Sequence, residues 1–117
     1  MSEVQSVGVI GLGSMGMGAA KSCVRAGLDV YGFDLNSQAL ETLDEYGAKA
    51  VSTSAVEFAD KLDSVLVLVV NAAQANTVLF KTGLAAALRP NTPVMVSATI
   101  SAEDAKQIEA QLSEYGL

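Results

Sequence analysis

Short apolar runs alternate with amphipathic stretches along this chain. The apolar runs predict five strands, over residues 7–10, 30–33, 48–51, 65–70 and 94–96. Apolar residues at helical spacing predict the intervening helices, over residues 14–26, 36–47, 54–62, 73–88 with an interruption near Gly83, and 101–115. The alternation is typical of a parallel α/β sheet with helices on both faces, and no linker or repeat divides residues 1–117.

Polar residues mark the starts of three of these helices. Asn36 and Ser101 are expected to act as N-caps, and Ser54 with Glu57 three residues later matches the capping-box pattern. Gly27 is expected to end the first helix. The last helix is predicted to carry one apolar face formed by Ile108, Leu112 and Tyr115.

A glycine-rich turn follows the first predicted strand directly and opens the first predicted helix. Gly11 would allow the tight turn, Gly13 would let a pyrophosphate approach the backbone, and Gly16 would let the helix pack on the first strand. The free N–H groups of the helix's first turn would face the phosphates. A turn that serves only packing is the alternative, because this glycine pattern alone is weak evidence.

Asp34 ends the second predicted strand, 18 residues after Gly16. A carboxylate at this position can accept hydrogen bonds from both hydroxyls of an adenosine ribose, although a solvated turn aspartate remains the alternative. A 2′-phosphate at about 4 Å would be repelled by about 4 kcal/mol at an effective dielectric constant of about 20. No cation lies among Leu35, Asn36 and Ser37, so the sequence favours NAD over NADP.

The expected topology is a Rossmann doubly wound parallel sheet with strand order 3-2-1-4-5, in which ligands lie beyond the strand ends. The loops predicted after the fourth and fifth strands, residues 71–74 and 97–101, would then lie near the cofactor. Asn71 and Thr99 serve either as helix caps or as cofactor contacts, and the sequence leaves both alternatives open. Ser101 is better explained as a cap.

Composition excludes several other classes of function. The net charge is −6 and the seven basic residues are scattered, which argues against nucleic acid as a partner. The longest aliphatic run is six residues, residues 65–70, too short to cross a membrane. The single cysteine, Cys23, fits a reducing, cytoplasmic location and is interpreted as an apolar filler. The absence of histidine makes a metal site improbable.

The sequence resembles the N-terminal domain of the β-hydroxyacid dehydrogenases, and in particular their L-threonate dehydrogenase branch. The resemblance covers nearly the whole chain and lies in residues 9–16, 26–27, 34–36, 67–71 and 96–101. It implies that Thr99 lies beside the nicotinamide and that Val70 and Asn71 flank the cofactor. Together with the turn, the candidate cofactor-binding residues are Gly11, Leu12, Gly13, Ser14, Met15, Gly16, Asp34, Leu35, Asn36, Val70, Asn71 and Thr99.

The resemblance also implies that the chain is a fragment of a longer dehydrogenase, truncated before an all-helical second domain that supplies a catalytic lysine. No catalytic residue is then expected within residues 1–117, and the fragment alone is expected not to catalyse the reaction. The whole protein would transfer a hydride between NAD and a small 2- or 3-hydroxy acid, such as L-threonate, and would form a homo-oligomer through the second domain. A free-standing dinucleotide-binding module that senses redox state or acts as a scaffold is the alternative hypothesis.

Overall fold

The protein forms a parallel five-stranded sheet in a computed structural model that describes residues 5–99 and 101–117. All four strand pairs are parallel and the order is β3-β2-β1-β4-β5, which confirms the predicted Rossmann topology. The strands are β1 (Ser6–Ile10), β2 (Asp29–Phe33), β3 (Ala50–Ser52), β4 (Ser64–Asn71) and β5 (Val94–Thr99).

Helices connect successive strands and cover both faces of the sheet. The helix after β4 is not uniform, because an α-helical turn continues as a π-helix and then breaks at Gly83, whose φ is +87°. No helix within the described residues is long and apolar enough to cross a membrane. The helices are α1 (Ser14–Arg25), α2 (Ser37–Tyr46), a 3₁₀ helix (Ala55–Lys61), α3 (Ala72–Asn76), the π-helix (Thr77–Lys81), α4 (Leu84–Ala87) and α5 (Ala102–Glu114).

The core consists of two apolar layers, one on each face of the sheet. Val7 and Val9 of β1 belong to the layer beneath α1 and α2, whereas Ile10 belongs to the layer beneath α4 and α5. The central strands therefore bury side chains on both faces, as their nearly continuous apolar runs predicted. Burial of each such aliphatic side chain contributes about 1.5–3 kcal/mol to the free energy of folding. The sheet is therefore stable, and it fixes the positions of the segments that follow its strands.

The fourth and fifth strands are longer than predicted. The prediction of loops at residues 71–74 and 97–101 was therefore wrong in part, because β4 extends to Asn71, α3 begins at Ala72 and β5 extends to Thr99. Asn71 is the last residue of β4, which leads directly into α3 at Ala72. Asn71 pairs with Thr99 of β5 after an irregularity that follows Leu68. Backbone groups make these pairings, so polar residues at the ends of strands did not stop them.

The capping residues were predicted correctly at two helices and wrongly at a third. Asn36 accepts hydrogen bonds from the amides of Gln38 and Ala39, and Ser101 accepts one from the amide of Asp104. The expected capping box at Ser54 does not form, and the helix that follows is 3₁₀.

A different hydroxyl organises the turn at the capping box that fails to form. The Ser54 amide donates to Oγ of Ser52 at 3.0 Å, and this hydroxyl in turn donates to the Glu57 carboxylate. The hydroxyl of Ser52, the last residue of β3, therefore takes the place of the cap expected from Ser54. At the chain's end, Tyr115 follows α5 rather than belonging to it, and its ring stacks on Phe80 with centroids 6.1 Å apart.

Candidate functional site

The glycine turn between β1 and α1 is held tightly between the strands. Gly11 has a φ of +94°, which favours glycine, and a Cβ atom there would overlap the carbonyl oxygen of Leu68 in β4. The Gly11 amide donates to the carbonyl oxygen of Phe33 at 2.9 Å. The chain therefore leaves β1 in contact with both neighbouring strands, which confirms the tight turn expected from Gly11.

Gly16 and Gly13 lack side chains for different reasons. A Cβ atom on Gly16 would overlap the carbonyl oxygen of Gly11, so α1 starts in direct contact with the turn. A Cβ atom on Gly13 would have no protein atom within 4 Å, and its φ of −66° is open to any residue. Neither packing nor backbone conformation therefore requires glycine at position 13, where the backbone faces open space.

Asp34 lies immediately after β2, beside the glycine turn. Its Oδ2 atom accepts a hydrogen bond from the Leu12 amide at 2.7 Å, and its Oδ1 atom accepts one from the Asn36 amide at 2.9 Å. A carboxylate has about four acceptor sites, so Asp34 keeps capacity for further donors. The sequence predicted the position of this carboxylate but not its bond to Leu12.

A cavity of about 590 Å³ opens at the carboxyl ends of β1, β2 and β4. Four of the predicted site residues line it, namely Gly11, Gly13, Asp34 and Leu35. Sequence reasoning did not single out four others that also line it, Thr53, Thr77, Val78 and Thr82. The cavity lies where the predicted strand order places a ligand.

Four other predicted site residues do not line this cavity. The Leu12 side chain is buried in the layer beneath α1 and α2, and Gly16 is buried at the start of α1. Met15 is 73% exposed in the first turn of α1, and Asn36 uses its side chain to cap α2. Any role of these four in binding would therefore come through the backbone or from the rim of the site.

The backbones of Val70, Asn71 and Thr99 lie at the carboxyl ends of β4 and β5, and Asn71 and Thr99 are direct partners. Ser14 is the first residue of α1. The side chains of these four residues lie outside what the structure describes. Their expected cofactor contacts therefore stay predictions.

The π-helix is the part of the site that the sequence did not indicate. Its first residue, Thr77, lines the cavity and donates its hydroxyl to the carbonyl oxygen of Ala73 at 3.0 Å. Thr82, directly after the π-helix, also lines the cavity and donates its hydroxyl to the carbonyl oxygen of Val78. π-helices are rare and occur often at functional sites, but no residue pattern marks them. Gly83 was the only local signal, since it marks the interruption.

The charges around the cavity suit a ligand with an anionic part and a hydroxyl-bearing part. The amino end of α1 carries roughly half a positive charge from its unpaired N–H groups. Asp34 supplies a negative charge, and among the described residues no cation lies within ion-pair distance of it. Within those same residues, no cluster of potential metal ligands is present. The amides at the start of α1 and the Asp34 carboxylate can bind a ligand through hydrogen bonds and the helix dipole.

Comparison with known proteins agrees with this geometry. The protein-family model that describes the NAD-binding domain of 6-phosphogluconate dehydrogenase matches residues 6–117 of this chain. An L-threonate dehydrogenase from Haemophilus influenzae is 59% identical over 113 residues, which are 96% of this chain and 38% of that protein. The chain thus spans little more than a third of the length of this relative.

Two solved structures share the fold closely. A 3-hydroxyisobutyrate dehydrogenase from Salmonella typhimurium superposes with a TM-score of 0.92 at 50% identity, over 97% of this chain and 39% of that chain. The enzyme of the same name from Mycobacterium tuberculosis, solved with L-serine, gives a TM-score of 0.89 at 30% identity, over 97% and 38%. The resemblance to hydroxyacid dehydrogenases is confirmed, and the chain belongs to the NAD-binding domain family of 6-phosphogluconate dehydrogenase.

Proposed function

We propose that residues 1–117 form the NAD-binding domain of a dehydrogenase that acts on a small hydroxy acid. The observation that carries the proposal is the open backbone at Gly13, next to the amino end of α1 and to Asp34. A glycine that neither packing nor φ requires supports a ligand that approaches the backbone closely. The family and the relatives' names support the same assignment.

The residues of the site fit the parts of a nicotinamide dinucleotide. The backbone amides of residues 13–16 would receive the diphosphate, and Asp34 would accept hydrogen bonds from the adenosine ribose. Leu35, which is 87% exposed and lines the cavity, would contact the adenine side of the ligand. Val70, Asn71 and Thr99 would lie toward the nicotinamide, which supplies or accepts a hydride when bound.

We infer that NAD is preferred over NADP because of the charge at Asp34. A 2′-phosphate would lie against this carboxylate, and no described cation is close enough to compensate the repulsion. NADP sites usually place an arginine near this position. Leu35, Asn36 and Ser37 offer none.

The substrate and the acid–base group are proposed for the longer protein to which this domain belongs. The relatives named L-threonate dehydrogenase suggest a small 2- or 3-hydroxy acid, with L-threonate as the first candidate. None of the lysines in the described part of the chain lines the cavity. We therefore place the catalytic lysine elsewhere in that protein, and expect these 117 residues alone to bind cofactor without catalysing the reaction.

Titration with NADH tests the proposal directly. The 117-residue chain should bind NADH, followed by the fluorescence of the reduced nicotinamide, and should bind NADPH at least about tenfold more weakly, a factor that corresponds to about 1.4 kcal/mol. Asp34→Ala should weaken NADH binding by about tenfold or more, because hydrogen bonds to a charged group contribute about 1.5–3 kcal/mol.

Asp44→Ala provides the matched control, because Asp44 is an exposed carboxylate in the last turn of α2. It should leave the affinity for NADH unchanged. Absence of NADH binding to the parent chain would refute the proposed function. Equal affinities for NADH and NADPH would refute only the preference for NAD.

A further inference from the structure

Asp34 joins two segments that are distant in sequence but adjacent at the edge of the sheet. Its Oδ2 atom accepts the Leu12 amide across 22 residues at 2.7 Å, in a partly buried position. We propose that Asp34 is a positioning residue for the glycine turn, which it holds in the conformation that receives the diphosphate, in addition to contacting the ribose. This inference rests on the proposed function and deepens it.

Leu12 is attached to β2 at two points. Its side chain is only 4% exposed, and its Cδ1 atom would lie 3.3 Å from a Cβ atom on Gly32, the last residue but one of β2. The Leu12 amide donates to the carboxylate of Asp34, which lies two residues after Gly32 and directly follows β2. The middle of the turn is thus fixed by an apolar contact and by a charge-assisted hydrogen bond, which is among the stronger kinds in proteins.

The two glycines that flank Leu12 explain why such a bond matters. Glycine loses more conformational freedom on ordering than any other residue, so a turn that contains Gly11 and Gly13 is costly to hold in one shape. The bond to Asp34 orders the turn before any ligand arrives. A preorganised turn binds the diphosphate more tightly, because the ordering cost is not met during binding.

The positioning role and the ribose role do not exclude each other. The two carboxylate oxygens of Asp34 offer about four acceptor sites. The amides of Leu12 and Asn36 use one on each oxygen, so each oxygen keeps one for a hydroxyl of the ligand. Asp34 can therefore hold the turn and contact the ribose at the same time.

A ligand without the ribose hydroxyls separates the two roles. The probe is an NAD analogue whose adenosine ribose lacks both hydroxyls, measured beside NAD by competition with NADH. If Asp34 holds the turn, Asp34→Ala should bind this analogue about tenfold more weakly than the parent chain does. If the variant and the parent bind the analogue equally while the variant loses affinity for NAD, the positioning role is refuted and the proposed function survives.

Amide hydrogen exchange tests the same claim without any ligand. In the parent chain the Leu12 and Gly11 amides are both bonded, the first to Asp34 and the second to the Phe33 carbonyl oxygen. Asp34→Ala should speed exchange at Leu12 by about tenfold or more and leave exchange at Gly11 unchanged. Unchanged exchange at Leu12 would overturn the proposal even if NADH binding is lost.

A second variant keeps the test valid if Asp34→Ala does not fold. Asp34→Asn keeps the size of the side chain but replaces one of the two acceptor oxygens with an NH2 group, so the amide that was bonded to that oxygen loses its acceptor. We expect faster exchange at Leu12 or at Asn36, with the Asp44→Ala variant as the unchanged control. Parent-like exchange at both amides would overturn the proposal.

Discussion

Two aspartates bind the backbone at opposite edges of the sheet with nearly the same geometry. At the carboxyl edge, Asp34 accepts the amides of Leu12 at 2.7 Å and of Asn36 at 2.9 Å. At the amino edge, Asp63 accepts the Ser6 amide at 2.7 Å and the Arg89 guanidinium at 2.9 Å. Each carboxylate thus links the edge of one strand to a neighbouring segment.

The two sites differ in what balances the negative charge. Asp63 has a cationic partner, and Arg89 also donates to the Leu62 carbonyl oxygen at 2.8 Å. Asp34 has only backbone donors among the described residues. The contrast teaches that similar hydrogen bonds occur in two electrostatic settings. The carboxylate at the amino edge is balanced by a guanidinium, whereas the one at the carboxyl edge keeps an unbalanced charge and spare acceptor sites for the ligand that we propose.

The largest effect on stability is expected from Gly16→Ala at the carboxyl edge. The new Cβ atom would overlap the carbonyl oxygen of Gly11, and a backbone atom held between strands cannot move aside cheaply. We expect the free energy of unfolding to fall by about 3 kcal/mol, the upper part of the usual range for overpacking. Urea denaturation followed by circular dichroism measures it.

Gly13→Ala is the matched control at the same turn. Its Cβ atom would meet no protein atom within 4 Å, so stability should change by less than about 0.5 kcal/mol, as for surface substitutions. Affinity for NADH should nevertheless fall, because the methyl group would occupy the face offered to the diphosphate. Parent-like NADH binding by this variant would show that the open space at Gly13 is not where the cofactor lies.

Asp63→Ala is expected to have a smaller effect on stability and none on binding. It leaves the Ser6 amide and the Arg89 guanidinium without their acceptor, which should lower the free energy of unfolding by about 2 kcal/mol. The affinity for NADH should stay at the parent value in the same titration used for Asp34→Ala. A comparable loss of NADH affinity in both variants would break the distinction between the two edges.

The smallest effect is the response of stability to acid. The Ser6 amide, and then Arg89, lower the pKa of Asp63 below its ordinary value of 3.8. A lowered pKa means that this carboxylate stabilises the fold fully above about pH 4 and loses that contribution as the pH falls through its folded-state pKa. Between pH 5 and pH 2.5 the parent chain should therefore lose more stability than Asp63→Ala does, measured by thermal unfolding at each pH. Equal losses of stability in the two proteins would mean that the folded state does not stabilise the ionised carboxylate of Asp63.

Sequence patterns predicted the fold and the position of Asp34 because both depend on spacing along the chain. Apolar runs predicted the strands, and the glycine turn with the acid after the second strand indicated the Rossmann strand order, which the sheet has. The bond between Asp34 and Leu12 could not be predicted in the same way. It depends on the distance between the ends of two strands, and that distance is fixed only when the sheet forms.

The errors have physical causes as well. Asn71 and Thr99 were placed in loops because the apolar runs end before them, at residues 70 and 96, yet their backbones pair with each other. Ser54 matched a capping pattern, but Ser52 on β3 supplied the hydroxyl that organises this turn. The π-helix from Thr77 was not foreseen because local periodicity does not distinguish it from an α-helix.

The bond between Asp34 and the Leu12 amide also limits how the cofactor preference of such a domain can be redesigned. An arginine at this position would supply charge for a 2′-phosphate, but it carries no acceptor atom. The exchange would leave the Leu12 amide without its acceptor, in the turn that we propose receives the diphosphate, while it improved the proposed contact at the ribose. A successful redesign has to introduce a cation nearby and provide Leu12 with a replacement oxygen.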